Sequence, residues 1–198
     1  MFLMSVDRPD APWGFLNAYK SAAQSVPRTA LVSEMLRNVV VARFVASALP
    51  KVIKEKTAHH TLIAFHTSVL FEYISRAKAL DDAALVILLP AMLEPLQESA
   101  IRADVFTKDV TVCMSLYPYP SLIMCYVYQL SSYVLLSALS QKCVLQNPAV
   151  KVILDAMASC SSRVAPQQFV NAALSVLSPQ DQLDDLPGLF IQTVLGLP

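Results

Sequence analysis

The chain has 198 residues, 55% of them hydrophobic, enough for one sizeable core or several stacked repeat units without disulfide or metal staples. Its three glycines, Gly14, Gly188 and Gly196, exclude phosphate-cradling loops, which need clustered glycines for close backbone approach. Fifteen basic and fifteen acidic residues cancel, so a domain that grips nucleic acid mainly through its own charge is excluded too.

The opening "MFLMSVDRPD" has neither the basic start nor the long apolar run of a secretory leader. The four cysteines, Cys113, Cys125, Cys143 and Cys160, form no C-x-x-C pair and are expected to be reduced intracellular thiols. From Leu31 onward apolar residues recur with helical spacing, which predicts an all-α chain with short proline-marked or polar connections. In "NVVVARFVASALPKVIKEK" the stripe Val41, Phe44, Val45, Ala48, Leu49, Val52 and Ile53 faces inward, and Arg43, Ser47, Lys51 and Lys54 take the wet face. "HTLIAFHTSVLFEYISR" is read with Leu62, Phe65, Val69, Leu70 and Tyr73 inward. "DDAALVILLPAMLEPLQES" opens at an N-cap, Asp81, and carries Leu85, Leu89, Met92, Leu93 and Leu96. "PAVKVILDAMASC", "PQQFVNAALSVLS" and "LDDLPGLFIQTVL" are further helices, with Pro148 and Pro166 in first turns that tolerate proline.

Two prolines fall inside strongly periodic runs, where each removes a backbone donor and bends or interrupts the helix. They are Pro50 in "ALPKVI" and Pro90 in "LLPAML", 40 residues apart, and a third Leu-Pro pair stands at Leu186 and Pro187. A period of about forty residues, with a proline bend in the first helix of each pair, predicts a HEAT-like α-solenoid of stacked antiparallel helix pairs over residues 1–198.

The text "ARFVASALPKVIKEKTAHHTLIAFHTSVLFEYISRAKALDDAALVILLPAMLEPLQ", with "SYVLLSALSQKC" and "LSVLSPQDQL", resembles the N-terminal part of the fungal U3 small nucleolar RNA-associated protein ten family. The likeness runs from about Leu31 to Leu183 except for one uncharged stretch, and it is a likeness of helical text with no catalytic motif. Members of that family are very long HEAT-repeat chains, so the resemblance implies a fragment or a truncated gene product. It further implies a non-catalytic scaffold subunit of the small-subunit processome, in the nucleolus of the nucleus. There the family acts in ribosomal RNA transcription and pre-18S processing. The partners implied are other processome subunits, with U3 small nucleolar RNA and pre-ribosomal RNA as further contacts; no membrane, cofactor or small-molecule substrate is expected. The helical pattern by itself fits a HEAT-type adaptor of another complex equally well, and the uncharged stretch keeps a single-span membrane protein as a third reading.

Candidate sites are sparse. His66 shares its stripe with apolar residues and is expected to be a satisfied core histidine, since a metal site needs further Cys, His or carboxylate side chains at close spacing. Lys51, Lys54 and Lys56, with His59 and His60 in a short inter-helix turn, form the most basic local cluster and a weak candidate contact for phosphate or an acidic partner. Asp181, Asp184 and Asp185 are expected at a helix start, where carboxylates meet the positive end of the dipole. No serine or cysteine stands in a nucleophile elbow or beside a histidine, so the expectation is binding rather than catalysis.

The uncharged stretch runs from Val110 to Gln141. Within it, Val112–Gln129 ("VCMSLYPYPSLIMCYVYQ") holds four of the seven tyrosines and two of the four cysteines, with no alanine, a composition foreign to the rest. Ser121 to Ser140 meets the minimum length of a membrane span but contains five serines and Gln129. Pro50 precedes Leu62 by twelve residues, whereas Pro90 precedes Leu130, taken as the equivalent second-helix position, by forty. Val-Cys-Met is what GTATGTATG would encode, a sequence that begins like a fungal 5′ splice site, and a CAG codon at Gln129 would end like a 3′ site. The expectation is a retained intron translated in frame, whose removal joins Thr111 to Leu130.

Overall fold

The computed structural model describes residues 12–54, 60–109, 120–160, 166–180 and 185–196. All regular structure among them is helical. The helices are α1 (Leu16–Ser21), α2 (Arg28–Arg37), α3 (Val39–Lys54), α4 (His60–Arg76), α5 (Asp82–Asp109), α6 (Pro120–Ser140), α7 (Asn147–Ser159), α8 (Pro166–Leu177) and α9 (Gly188–Leu195).

Local chemistry accounts for several boundaries. The Asp81 carboxylate accepts a hydrogen bond from the Ala84 amide at 2.9 Å, the N-cap its position predicts, so one of the orphan donors of the first turn is satisfied. Pro148 sits in the first turn of α7 and Pro166 opens α8, where the missing amide hydrogen costs nothing. Pro187 behaves differently from Pro50 and Pro90: it is the N-cap of α9, whereas Pro50 lies within α3 and Pro90 and Pro95 lie within α5. Asp185 is two residues before that cap and the first turn of α9 has no acidic side chain, so it is not the dipole-facing helix start expected of it. Asp181 and Asp184 lie outside the described residues. Between α1 and α2, Ala23 has φ 50°, the left-handed region that an alanine enters at a cost.

The helices pack in two rows. In one row α2 lies on α4, α4 on α6 and α6 on α8; in the other α3 lies on α5, α5 on α7 and α7 on α9. The rows are joined by α2 with α3, α3 with α4, α5 with α6 and α7 with α8. From α2 to α7 each helix thus meets the helix two further along, the arrangement of an all-α solenoid-like stack, because an amphipathic helix pair buries its faces only against the next pair. In the second row the helices begin at residues 39, 82, 147 and 188, intervals of 43, 65 and 41. In the first row they end at 37, 76, 140 and 177, intervals of 39, 64 and 37. No single repeat length describes the chain.

The core runs the length of the stack, from Trp13, Val32 and Met35 through Leu70, Met92, Leu136 and Leu154 to Phe169 and Phe190. Trp13 closes one end, edge-on to Phe44 with ring centroids 4.7 Å apart. At the other end Phe169 lies between Tyr133 and Phe190, with centroid distances of 6.4 and 5.9 Å. In α4 the inward stripe is Ile63, His66, Val69, Leu70 and Ile74, and Ala77 just past its end is buried too. Leu62 and Phe65, expected inward, are more than two-fifths exposed, because α4 is apolar on more than one face and its contacts with α2, α3 and α6 select another stripe. Phe44 is likewise 41% exposed, with Val41, Ala42 and Ala46 the fully buried positions among the described side chains of α3.

Candidate interaction surfaces

Buried polar groups come first, because each needs a partner. His66 is buried, and its Nε2–H donates to the Val45 carbonyl of α3 at 2.9 Å, since a carbonyl can only accept. Its Nδ1 has no hydrogen-bond partner, as a neutral acceptor nitrogen can endure and a protonated one cannot. Burial lowers the imidazole pKa from its ordinary value; the carbonyls of Val45 and Ala46 pull it upward without cancelling that effect. This is the core histidine expected from the sequence.

A second polar junction ties α5, α6 and α7 together. The Gln129 amide donates to the Cys160 carbonyl at 3.1 Å, and the Cys160 thiol donates to the Leu96 carbonyl at 2.7 Å. Tyr133 is buried on the same side. Burial, reinforced by the Cys160 thiol, holds its phenol well above the usual range. Cys143 and Cys160 are free thiols, and burial also raises the Cys143 pKa. The Ser140 hydroxyl reaches the Ser175 carbonyl of α8 at 2.9 Å. A raised pKa leaves less of the Cys143 thiol in the nucleophilic thiolate form. Among the described residues no group of three or more His, Cys, Asp or Glu side chains could hold a metal ion.

Among the described residues two surface grooves stand out. The first follows α4, α6 and α8, where adjoining hollows of about 440 and 350 Å³ share Phe71, Leu130 and Val134. It is edged by serine, glutamine and asparagine and has no charged lining residue. The second is a hollow of about 270 Å³ between α3 and α5. Arg43, Ser47 and Lys51, each one turn apart, form its α3 wall; Val86, Ile87 and Pro90 form much of its α5 wall, with Glu94 beyond.

Of the basic cluster expected at Lys51, Lys54, Lys56, His59 and His60, the structure describes the side chain of Lys51 alone, exposed on α3. His60 opens α4 rather than lying in the turn. The side chains of Lys54 and His60, and Lys56 and His59 altogether, lie outside the described residues. What sequence reading missed is the company Lys51 keeps: Arg43 was placed on a merely wet face, and its i, i+4, i+8 spacing with Ser47 and Lys51 was the available signal. Elsewhere on the surface Glu72 pairs with Arg28 at 2.7 Å and with Arg76 at 3.3 Å, fastening α2 to α4.

No protein-family model, no curated protein and no solved structure matches this chain.

Proposed function

We propose that the chain is a non-catalytic scaffold subunit of the nucleolar small-subunit processome, acting in ribosomal RNA transcription and pre-18S processing. It does so through contacts to other subunits, with U3 small nucleolar RNA and pre-ribosomal RNA as further contacts. The observation that carries the scaffold part is the two-row stack, whose long flanks present surface in proportion to the number of helices. The ribosomal part rests on the resemblance of "ARFVASALPKVIKEK" and the text that follows it to the family named above. A HEAT-type adaptor of another complex shares the first support and lacks the second. Among the described residues no helix is long and apolar enough to cross a membrane, and α6 turns Tyr133, Leu135, Leu136 and Leu139 into the stack.

The test is purification of the tagged chain from fungal cells at mild salt. Recovery of processome subunits with U3 RNA is expected. A defined set of unrelated proteins without U3 RNA transfers the chain to the adaptor reading.

We further propose that Val112–Gln129 is a translated intron. In support, the helix intervals that span it are 65 and 64 residues, against 37 to 43 on either side. Against it stands the burial of Tyr128 and Gln129 in a helix that continues unbroken from Pro120 to Ser140. Its removal would leave Leu130–Ser140 of α6, which keeps Leu135, Leu136 and Leu139 in the core. Sequencing the cDNA decides: transcripts that join the Thr111 and Leu130 codons are expected, and their complete absence refutes the proposal.

A further inference from the structure

The groove between α3 and α5 combines features that together describe a ligand. Arg43 and Lys51 are exposed, and among the described residues neither has an ion-pair partner, whereas Arg28 and Arg76 both engage Glu72. They stand eight residues apart on one helix, a rise of about 12 Å. Between and beside them the floor is apolar: Val86 is 70% exposed, with Ile87 beneath it. Pro90, also lining the groove, has no amide hydrogen, so the Val86 carbonyl one turn earlier loses the helical donor it would otherwise have. The site therefore offers two cations with an apolar floor between them.

We propose that this groove binds an extended acidic segment of a partner protein, of the pattern Glu-x-Leu-x-Glu. In an extended chain, side chains at alternate positions face the same way and rise about 3.3 Å per residue, so carboxylates four residues apart stand about 13 Å apart. That matches the span from Arg43 to Lys51. The residue midway faces the same side and rests on Val86 and Ile87. Nucleic acid fits less well. Its phosphates gain nothing from an apolar floor, while the Glu94 carboxylate, which lines the same groove, opposes either anionic ligand and does not separate the two. The inference requires the packing of α3 on α5 and nothing of the ribosomal reading.

The test is fluorescence anisotropy of the full chain with a labelled nonapeptide containing Glu-Thr-Leu-Thr-Glu, at low and physiological salt. Saturable binding is expected, weakened at least tenfold by the double substitution Arg43→Glu/Lys51→Glu and about threefold or more when leucine in the peptide is replaced by serine. The charge-swapped peptide Lys-Thr-Leu-Thr-Lys should bind the double variant in preference to the wild type, which a variant damaged in folding would not do. Circular dichroism of both proteins accompanies the measurement. No saturable binding up to millimolar peptide overturns the proposal. So does equal affinity of the two proteins, or tighter binding of an oligouridylate that depends on the same two residues.

Discussion

Acidification should destabilise this stack through one imidazole before its carboxylates begin to protonate. His66 is buried with Nε2–H donated to Val45 and Nδ1 without a partner, so a second proton would place a charged donor where nothing accepts it. Burial lowers the folded-state pKa below 6.5, the ordinary value the unfolded chain regains. Between those two pKa values the unfolded state binds the extra proton, so stability is fully present above about pH 6.5 and falls as the pH is lowered. One proton sets the slope at no more than about 1.4 kcal/mol per pH unit, hence a loss of at most about 2 kcal/mol between pH 6.5 and 5. Against a typical domain stability of about 5–15 kcal/mol that is readily measured. The assay is urea unfolding followed by circular dichroism at half-unit pH steps, on wild type and on His66→Gln, which retains a donor and cannot titrate. The wild type should lose stability relative to the variant below pH 6.5, with the two curves parallel above it. Parallel curves across the whole range would show that His66 is not held neutral in the folded chain, and the argument from its burial would fail.

The remaining predictions are simpler. Asp81→Ala should cost about 1 kcal/mol in urea unfolding, since the Ala84 amide loses its cap, and Asp81→Asn should recover most of it. Leu136→Ala should cost about 2–5 kcal/mol, because Leu136 has no exposed surface in a helix packed against α4, α5 and α8; a loss below 1 kcal/mol would put this residue outside the core. Ala23→Gly should be neutral or stabilising by up to about 1 kcal/mol, as glycine enters φ 50° freely, whereas Ala23→Val should be destabilising by more than that. The uncharged helix α9 leaves Leu189, Ile191 and Leu195 40% exposed or more, so sedimentation velocity should show concentration-dependent self-association that Leu189→Glu/Leu195→Glu suppresses.

The helical character of the chain is written in its periodicity, because burying one face of a helix needs apolar residues every three or four positions whatever stands opposite. For the same reason the cap at Asp81, the prolines at the starts of α7 and α8, and the buried place of His66 were legible: each follows from local backbone chemistry or from a stripe within one helix. Which stripe faces inward was not legible where a helix is apolar on several sides. In α4 the pattern permits either Leu62 and Phe65 or Ile63 to join the buried stripe of Val69 and Leu70, and only the neighbours α2, α3 and α6 select Ile63. The role of Pro187 was misjudged for a related reason, since a Leu-Pro pair reads alike inside a helix and at its cap. The groove at Arg43 and Lys51 was legible only on its α3 side, in the i, i+4, i+8 spacing with Ser47, because its other wall, Val86, Ile87 and Pro90, comes from α5. Such proximity arises when amphipathic helices bury their faces on one another, a decision made by the whole stack and by no segment of it.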